Sequence, residues 1–303
     1  MSEPCGVLIV NKHAGVTSHD IVGKIRRLFG TRRVGHTGTL DPLAEGVLVI
    51  LIGRAAKAAE YLVVDSKRYR ATLRLGITTD TEDVTGEILT SADTIPSPQA
   101  VLEVCRDFEG EISQIPPMYS ALKVNGQKLC DLARRGVEIE REARTVTIHS
   151  LVCTPTDTPF DYRLDVHCSS GTYIRTLCAD IGTALGCGGV MATLQRCATG
   201  SFRIEESHTI AELENMTEAE RLGCLIPTER LFDSLPAVSL PAFFEKLSRS
   251  GCEIYQKKIR ENYEVGARVR LCSQEGAFYA LGEVREYEDG SAIKTIKIFD
   301  LGE

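Results

Sequence analysis

Eight residues, Gly35-His36-Thr37-Gly38-Thr39-Leu40-Asp41-Pro42, constrain this chain more than any other stretch. Glycine permits tight backbone paths that other residues resist, and proline locks φ so that Asp-Pro fixes a turn. The segment therefore reads as a stiffened loop. Ahead of it, Ile21, Val22, Ile25, Leu28 and Phe29 recur at the spacing of an amphipathic helix, opened by a cap at Ser18 or Asp20. Behind it, residues 47–52 form an apolar run, as residues 7–10 do earlier, and both read as buried strands. The loop is thus pinned between a helix and a strand. It carries an imidazole and a carboxylate, His36 and Asp41, five residues apart. An Asp-Pro in isolation is ordinarily a turn and nothing more.

Residues 69–75 alternate as a half-buried strand does, and 146–152 and 162–169 alternate like antiparallel strands. Residues 53–62 are alanine-rich and helix-prone. Pro96 and Pro98 precede a helix over about 99–108, and 176–185 reads as a helix stopped by Gly186. Residues 114–144 are proline-led, then basic and acidic by turns, and read as an excursion from the main sheet. Three prolines between 227 and 241 mark a junction. Beyond it, 268–271, 278–284 and 293–299 resemble three short strands.

At 303 residues, 43% hydrophobic and 25% charged, the composition is that of a globular protein with one large domain and a small one. No apolar run approaches the length of a membrane-spanning helix. Met1-Ser2-Glu3-Pro4 lacks the basic and apolar regions of a secretory signal, which points to the cytoplasm. The eleven cysteines are scattered, with no Cys-x-x-Cys pair, and read as reduced, hydrophobic thiols. Cys178, Cys187 and Cys197 match no zinc module, and the other histidines are dispersed, so neither metal nor cofactor is expected. A metal-dependent hydrolase built on His36 and Asp41 lacks further ligands. The net charge of −7 argues against a nucleic-acid partner, yet affinity depends on where charges lie. Lys24 to Arg33 holds five basic residues and no acidic one, and Lys67, Arg68, Arg70 and Arg74 surround Tyr69.

Further segments join the octapeptide: Val10-Asn11-Lys12, Gly15-Val16-Thr17-Ser18, Arg68-Tyr69, Thr79-Asp80-Thr81, Ile115 through Lys123, Arg141-Glu142-Ala143-Arg144, Gly171-Thr172-Tyr173-Ile174-Arg175 and Leu194-Gln195-Arg196. With these in view, the chain resembles the TruB-type tRNA pseudouridine-55 synthases over most of residues 5–230. Asn11 stands where that family often has aspartate, and Gln195 where a second arginine is usual.

The resemblance implies an α+β fold. Its catalytic domain, residues 1–232, has a mixed, mainly antiparallel sheet with flanking helices and an RNA-gripping thumb at about 114–144. Residues 233–303 resemble a small β-rich PUA-like RNA-binding domain. The implied activity isomerises uridine-55 in the T-loop of tRNA by base flipping and attack of an aspartate, acting as a monomer on the T-arm stem-loop. Asp41 would be the nucleophile, Arg175 its charge partner, and Tyr69 the ring that stacks on uracil and helps move a proton. Tyr173 and Leu194 would line the uracil pocket, His36 would meet the RNA, and Lys12 would contact phosphate. A second reading is an RNA-binding or tRNA-folding protein in which modification is secondary. An intact Asp41, Tyr69 and Arg175 argues against it, since binding alone needs no such carboxylate.

Overall fold

The computed structural model describes residues 3–62, 66–120, 122–124 and 126–300. Nine strands form the main sheet: β1 Gly6–Lys12, β2 Val34–His36, β3 Glu45–Ile52, β4 Ser66–Leu75, β5 Gly110–Gln114, β6 Arg144–Pro155, β7 Asp161–Ser169, β8 Gly189–Thr199 and β9 Phe202–Arg203. The order across the sheet is β1-β3-β8-β4-β7-β6-β5, with β2 paired to β3 and β9 to β8. Every pairing is antiparallel except β3 with β8, a parallel contact of two residue pairs, Gln195 opposite Glu45 and Arg196 opposite Gly46. Gly46 sits at φ +100°, and a Cβ there would lie 2.2 Å from the Arg196 carbonyl oxygen. Only glycine lets the two strands close at this point.

Burial explains why β3 is continuously apolar. Leu48, Ile50 and Ile52 face the core under the helices, together with Leu8 and Val10 of β1. Val47, Val49 and Leu51 face the other way, with Val7 and Ile9, and pack against Phe232, Leu281 and Phe299. A strand covered on both faces loses the polar alternation that β4 and β7 keep, since those have one wet face. Burying such side chains contributes about 1.5–3 kcal/mol each, enough to dock the C-terminal module firmly on this side of the sheet.

Helix α1, Ser18–Leu28, is opened by neither Ser18 nor Asp20. Thr17 is the cap: its hydroxyl accepts from the Asp20 N–H at 3.1 Å, and the Asp20 carboxylate accepts from the Thr17 N–H at 2.9 Å. Ser18 is thereby free for other use. Residues 53–60 wind as a 3-10 helix that buries Gly53, Ala55 and Ala58. Helix α2, Pro98–Arg106, starts at a Ser97 cap, and helix α3, Ile174–Ala184, starts directly after Tyr173. The ladder pairing Arg144 with Gln114 closes off residues 115–143, which leave the sheet edge and return to it.

The C-terminal module has its own sheet: β10 Ala237–Ser239, β11 Ile254–Tyr255, β12 Arg268–Cys272, β13 Phe278–Tyr287 and β14 Gly290–Ile298, in the order β10-β12-β13-β14-β11. Its core gathers Val238, Leu240, Ile254, Val269, Leu271 and Tyr279. The short strands β10 and β11 have no alternation long enough to read from sequence. Among the described residues, no helix is long and apolar enough to cross a membrane.

Candidate active site

The octapeptide owes its shape to buried side chains and not to glycine freedom. Neither Gly35 nor Gly38 adopts positive φ, and Gly35 and His36 belong to β2, paired with Leu51 and Ile50. The loop therefore begins only after His36. Three side chains fasten it from below. Arg196 is 1% exposed and donates from Nε to the Val47 carbonyl at 2.7 Å, from Nη1 to Thr39 at 3.3 Å and from Nη2 to Gly38 at 3.1 Å. The Ser18 hydroxyl donates to the Leu40 carbonyl at 3.1 Å and accepts the Leu40 N–H at 2.9 Å. Lys12 donates to the Pro42 carbonyl at 3.3 Å, and to His13 and Val16 at 3.0 and 2.8 Å. Bonds with a charged donor are about twice as strong as neutral ones, so this bed is stiff.

Lys12 therefore cannot make the phosphate contact expected of it. The side chain has no exposed surface, and its ammonium is consumed by three carbonyls. Burial lowers its pKa to about 8, against the opposing pull of Asp41 and Glu45. Its place is under the loop.

Above this bed lies a cleft of about 330 Å³ lined by Asp41, Lys67, Tyr69, Tyr173, Arg175 and Leu194. Arg175, at the first turn of α3, is 5% exposed. Its Nε lies 3.0 Å from Asp41 Oδ2, its Nη1 donates to the Thr81 carbonyl at 3.2 Å, and its Nη2 donates to the Tyr119 carbonyl at 2.7 Å. Asp83 Oδ2 stands 3.9 Å from Nη1. All three nitrogens are committed, so the guanidinium is fixed as a planar fork. Asp41 keeps 38% of its side chain exposed, which leaves the carboxylate open to a substrate while its cation is not. Burial raises the Asp41 pKa above the ordinary carboxylate value, Asp83 adds to the rise, and the Arg175 guanidinium opposes it.

Tyr69 and Arg196 lie opposite each other on β4 and β8, which puts their side chains on one face of the sheet. Tyr69 is 8% exposed, and burial raises its pKa, so the group is a neutral phenol at physiological pH. Leu194 stands one pair further along the same face. Tyr173 is placed by Gln114, whose side-chain amide accepts the Tyr173 N–H at 3.0 Å and donates to its carbonyl at 3.2 Å. Since Gln114 ends β5, this couples the base of the 115–143 excursion to the cleft wall. His36 does not line the cleft. It is half-buried at the end of β2, its Nδ1 has no partner among the described residues, and burial with Arg196 lowers its pKa. Among the described residues, no three His, Cys, Asp or Glu side chains converge as a metal cage.

Asp83, Gln114 and Arg196 received no individual role from sequence, and Ser18 only that of a helix cap. Arg196 carried the best signal, an arginine in a strand whose next residues, Cys197-Ala198, are apolar. Asp83 sits in a Thr/Asp/Gly-rich run that reads as any turn.

Residues 26–174 match the model of the TruB family pseudouridylate synthase N-terminal domain, and residues 175–233 that of the tRNA pseudouridylate synthase B C-terminal domain. A protein of Alkaliphilus oremlandii (strain OhILAs) called tRNA pseudouridine synthase B is 42% identical over 98% of both chains. This chain belongs to the TruB family of pseudouridylate synthases. Its Dechloromonas aromatica relative of the same name is 48% identical over 78% of each chain. Among solved structures, a chain of "Crystal Structure of a Cbf5-Nop10-Gar1 Complex" superposes with a TM-score of 0.75 at 26% identity, covering 97% of this chain and 85% of that one. A chain of "Crystal structure of the archaeal box H/ACA sRNP Nop10-Cbf5 complex" shares the fold with a TM-score of 0.70. The TruB-family chain is accordingly an isomerase of the pseudouridine synthase kind, with an α+β fold and a small C-terminal β module. The boundary between the two family models falls between Ile174 and Arg175, so the cleft draws residues from both.

Proposed function

We propose that the protein isomerises uridine-55 in the T-loop of tRNA to pseudouridine, with Asp41 as the nucleophile. Its relatives' name supplies tRNA as the substrate class. The observation that carries the reading is the contact of 3.0 Å between Arg175 Nε and the half-exposed carboxylate of Asp41, in a cleft lined by Tyr69, Tyr173 and Leu194. A carboxylate kept accessible and paired to a buried, fixed cation is suited to covalent catalysis. The reaction breaks the N1–C1′ bond, forms a C5–C1′ bond, moves a proton from C5 and leaves one on N1, so atoms and electrons balance with no donor or acceptor.

In this reading the target base leaves its loop and enters the cleft. Extrusion costs a few kcal/mol, least for a base that is unpaired or loosely stacked, which favours a loop uridine. Stacking on Tyr69 returns about 1–3 kcal/mol. His36, outside the cleft but on the same edge of the loop, meets the RNA where the base has left. Residues 114–144 grip the arm, and residues 233–303 extend the contact.

Asp41→Asn tests the assignment. The amide preserves shape but cannot act as a carboxylate nucleophile. Single-turnover conversion of tritium-labelled tRNA should be abolished while filter-binding affinity stays within about threefold. Turnover within tenfold of the parent would remove Asp41 from the nucleophile role. A T-arm stem-loop alone should be converted, and the same stem-loop with cytidine at the target position should not.

A further inference from the structure

We infer that Lys67 is a phosphate-binding residue at the rim of the cleft, clamping the backbone of the nucleotide whose base enters beside Tyr69. This rests on the cleft being the seat of the flipped uridine. Four observations carry it. Lys67 lies two residues before Tyr69 on β4, so both side chains leave the same face of the strand. Both line the cleft with Asp41. Tyr69 is buried whereas Lys67 keeps part of its side chain exposed, so the ring belongs to the closed wall and Lys67 stays within reach of the sugar-phosphate, which must remain outside when a base goes in.

The fourth observation is electrostatic. Among the described residues no carboxylate pairs with Lys67, and no hydrogen bond satisfies its ammonium. Burial lowers the Lys67 pKa, and its charged neighbour, another cation, Arg196, lowers it further. The remaining titratable group beside it is Cys168, whose thiol is pushed up to about 11 by burial and carries no charge at neutral pH. Every other buried cation of the site is committed: Arg175 to Asp41 and two carbonyls, Arg196 and Lys12 to three carbonyls each. A half-desolvated cation beside a second cation, with no counter-charge among the described residues, is unfavourable unless a ligand brings the anion. For an RNA substrate that anion is a phosphate.

The test uses the full chain and tRNA, with Lys67→Met removing charge at similar length and Lys67→Arg retaining it. One lost phosphate contact reduces the slope of log affinity against log salt by about 0.7–0.9. Lys67→Met should show that reduced slope and roughly tenfold weaker binding at low salt, with the single-turnover rate at saturating tRNA within about threefold of the parent. Lys67→Arg should restore the slope. An unchanged slope for Lys67→Met overturns the proposal. So does a rate loss above about a hundredfold at saturating tRNA with normal affinity, which would make Lys67 a group acting on the base. A folding defect would lower the melting temperature of both variants without a slope change restored by arginine. Full turnover by Asp41→Asn, run alongside, would refute the seat itself, whereas an inactive Asp41→Asn with an unchanged Lys67→Met slope refutes only the clamp.

Discussion

Replacing Arg175 with lysine keeps the charge and destroys the fork. The guanidinium serves three acceptors lying in different directions: Asp41 at 3.0 Å, the Thr81 carbonyl at 3.2 Å and the Tyr119 carbonyl at 2.7 Å. A single ammonium at the end of a flexible stem cannot serve all three. If it follows its strongest attraction to a carboxylate, two part-buried carbonyls lose a charged donor, at up to about 1.5–3 kcal/mol each. The total is on the order of 3–6 kcal/mol, a large part of the 5–15 kcal/mol that keeps a typical domain folded, so the variant should fold but melt early. The catalytic cost is smaller, because it is felt only through the placement of Asp41. One displaced charge-assisted bond, about 1.5–3 kcal/mol, corresponds to a roughly 10- to 150-fold slower chemical step. Single-turnover conversion of tritium-labelled tRNA reads the rate, and urea denaturation reads the stability. Affinity for tRNA should stay within about threefold, since Arg175 is buried and already committed. A rate within twofold of the parent, with an unchanged denaturation midpoint, would refute the reasoning and make the fork dispensable.

Tyr69 separates stacking from proton transfer. Tyr69→Phe keeps the ring and should bind tRNA normally yet react about 100- to 10,000-fold more slowly if the phenol handles a proton; Tyr69→Leu should in addition weaken binding by roughly 1–3 kcal/mol. Parent-like rates for both would move the pocket elsewhere. The pH profile reports on Asp41. A nucleophile must be ionised, and burial raises this carboxyl above its ordinary pKa, so the rate should fall with acidification at a midpoint above the usual value of about 4. Single-turnover rates that stay flat down to about pH 4 would contradict that direction.

Much of this protein follows from its sequence because the signals concerned are local. The octapeptide had to be a constrained segment between a helix and a strand, and it is. The apolar runs at 7–10 and 47–52 had to be buried strands, and the alternation at 69–75 and 162–169 had to give one wet face and one dry one. Hydrophobic period survives in the chain because it acts within a few residues. Tertiary structure decided what depends on distant partners. Lys12 and Arg196 have the composition of surface residues. They are buried because the turn at residues 38–42 points its carbonyls inward, and only a cation from elsewhere can satisfy them. Glycine in the octapeptide suggested special backbone angles, yet a glycine that the site cannot spare is Gly46, where β3 meets β8. Arg175 reaches acceptors 56 and 94 residues away in sequence, a separation no periodicity records. The fold supplies those partners because loops distant in sequence, carrying Asp41, Thr81 and Tyr119, meet around the first turn of α3, where backbone carbonyls outside the ladders become the ligands of buried charge.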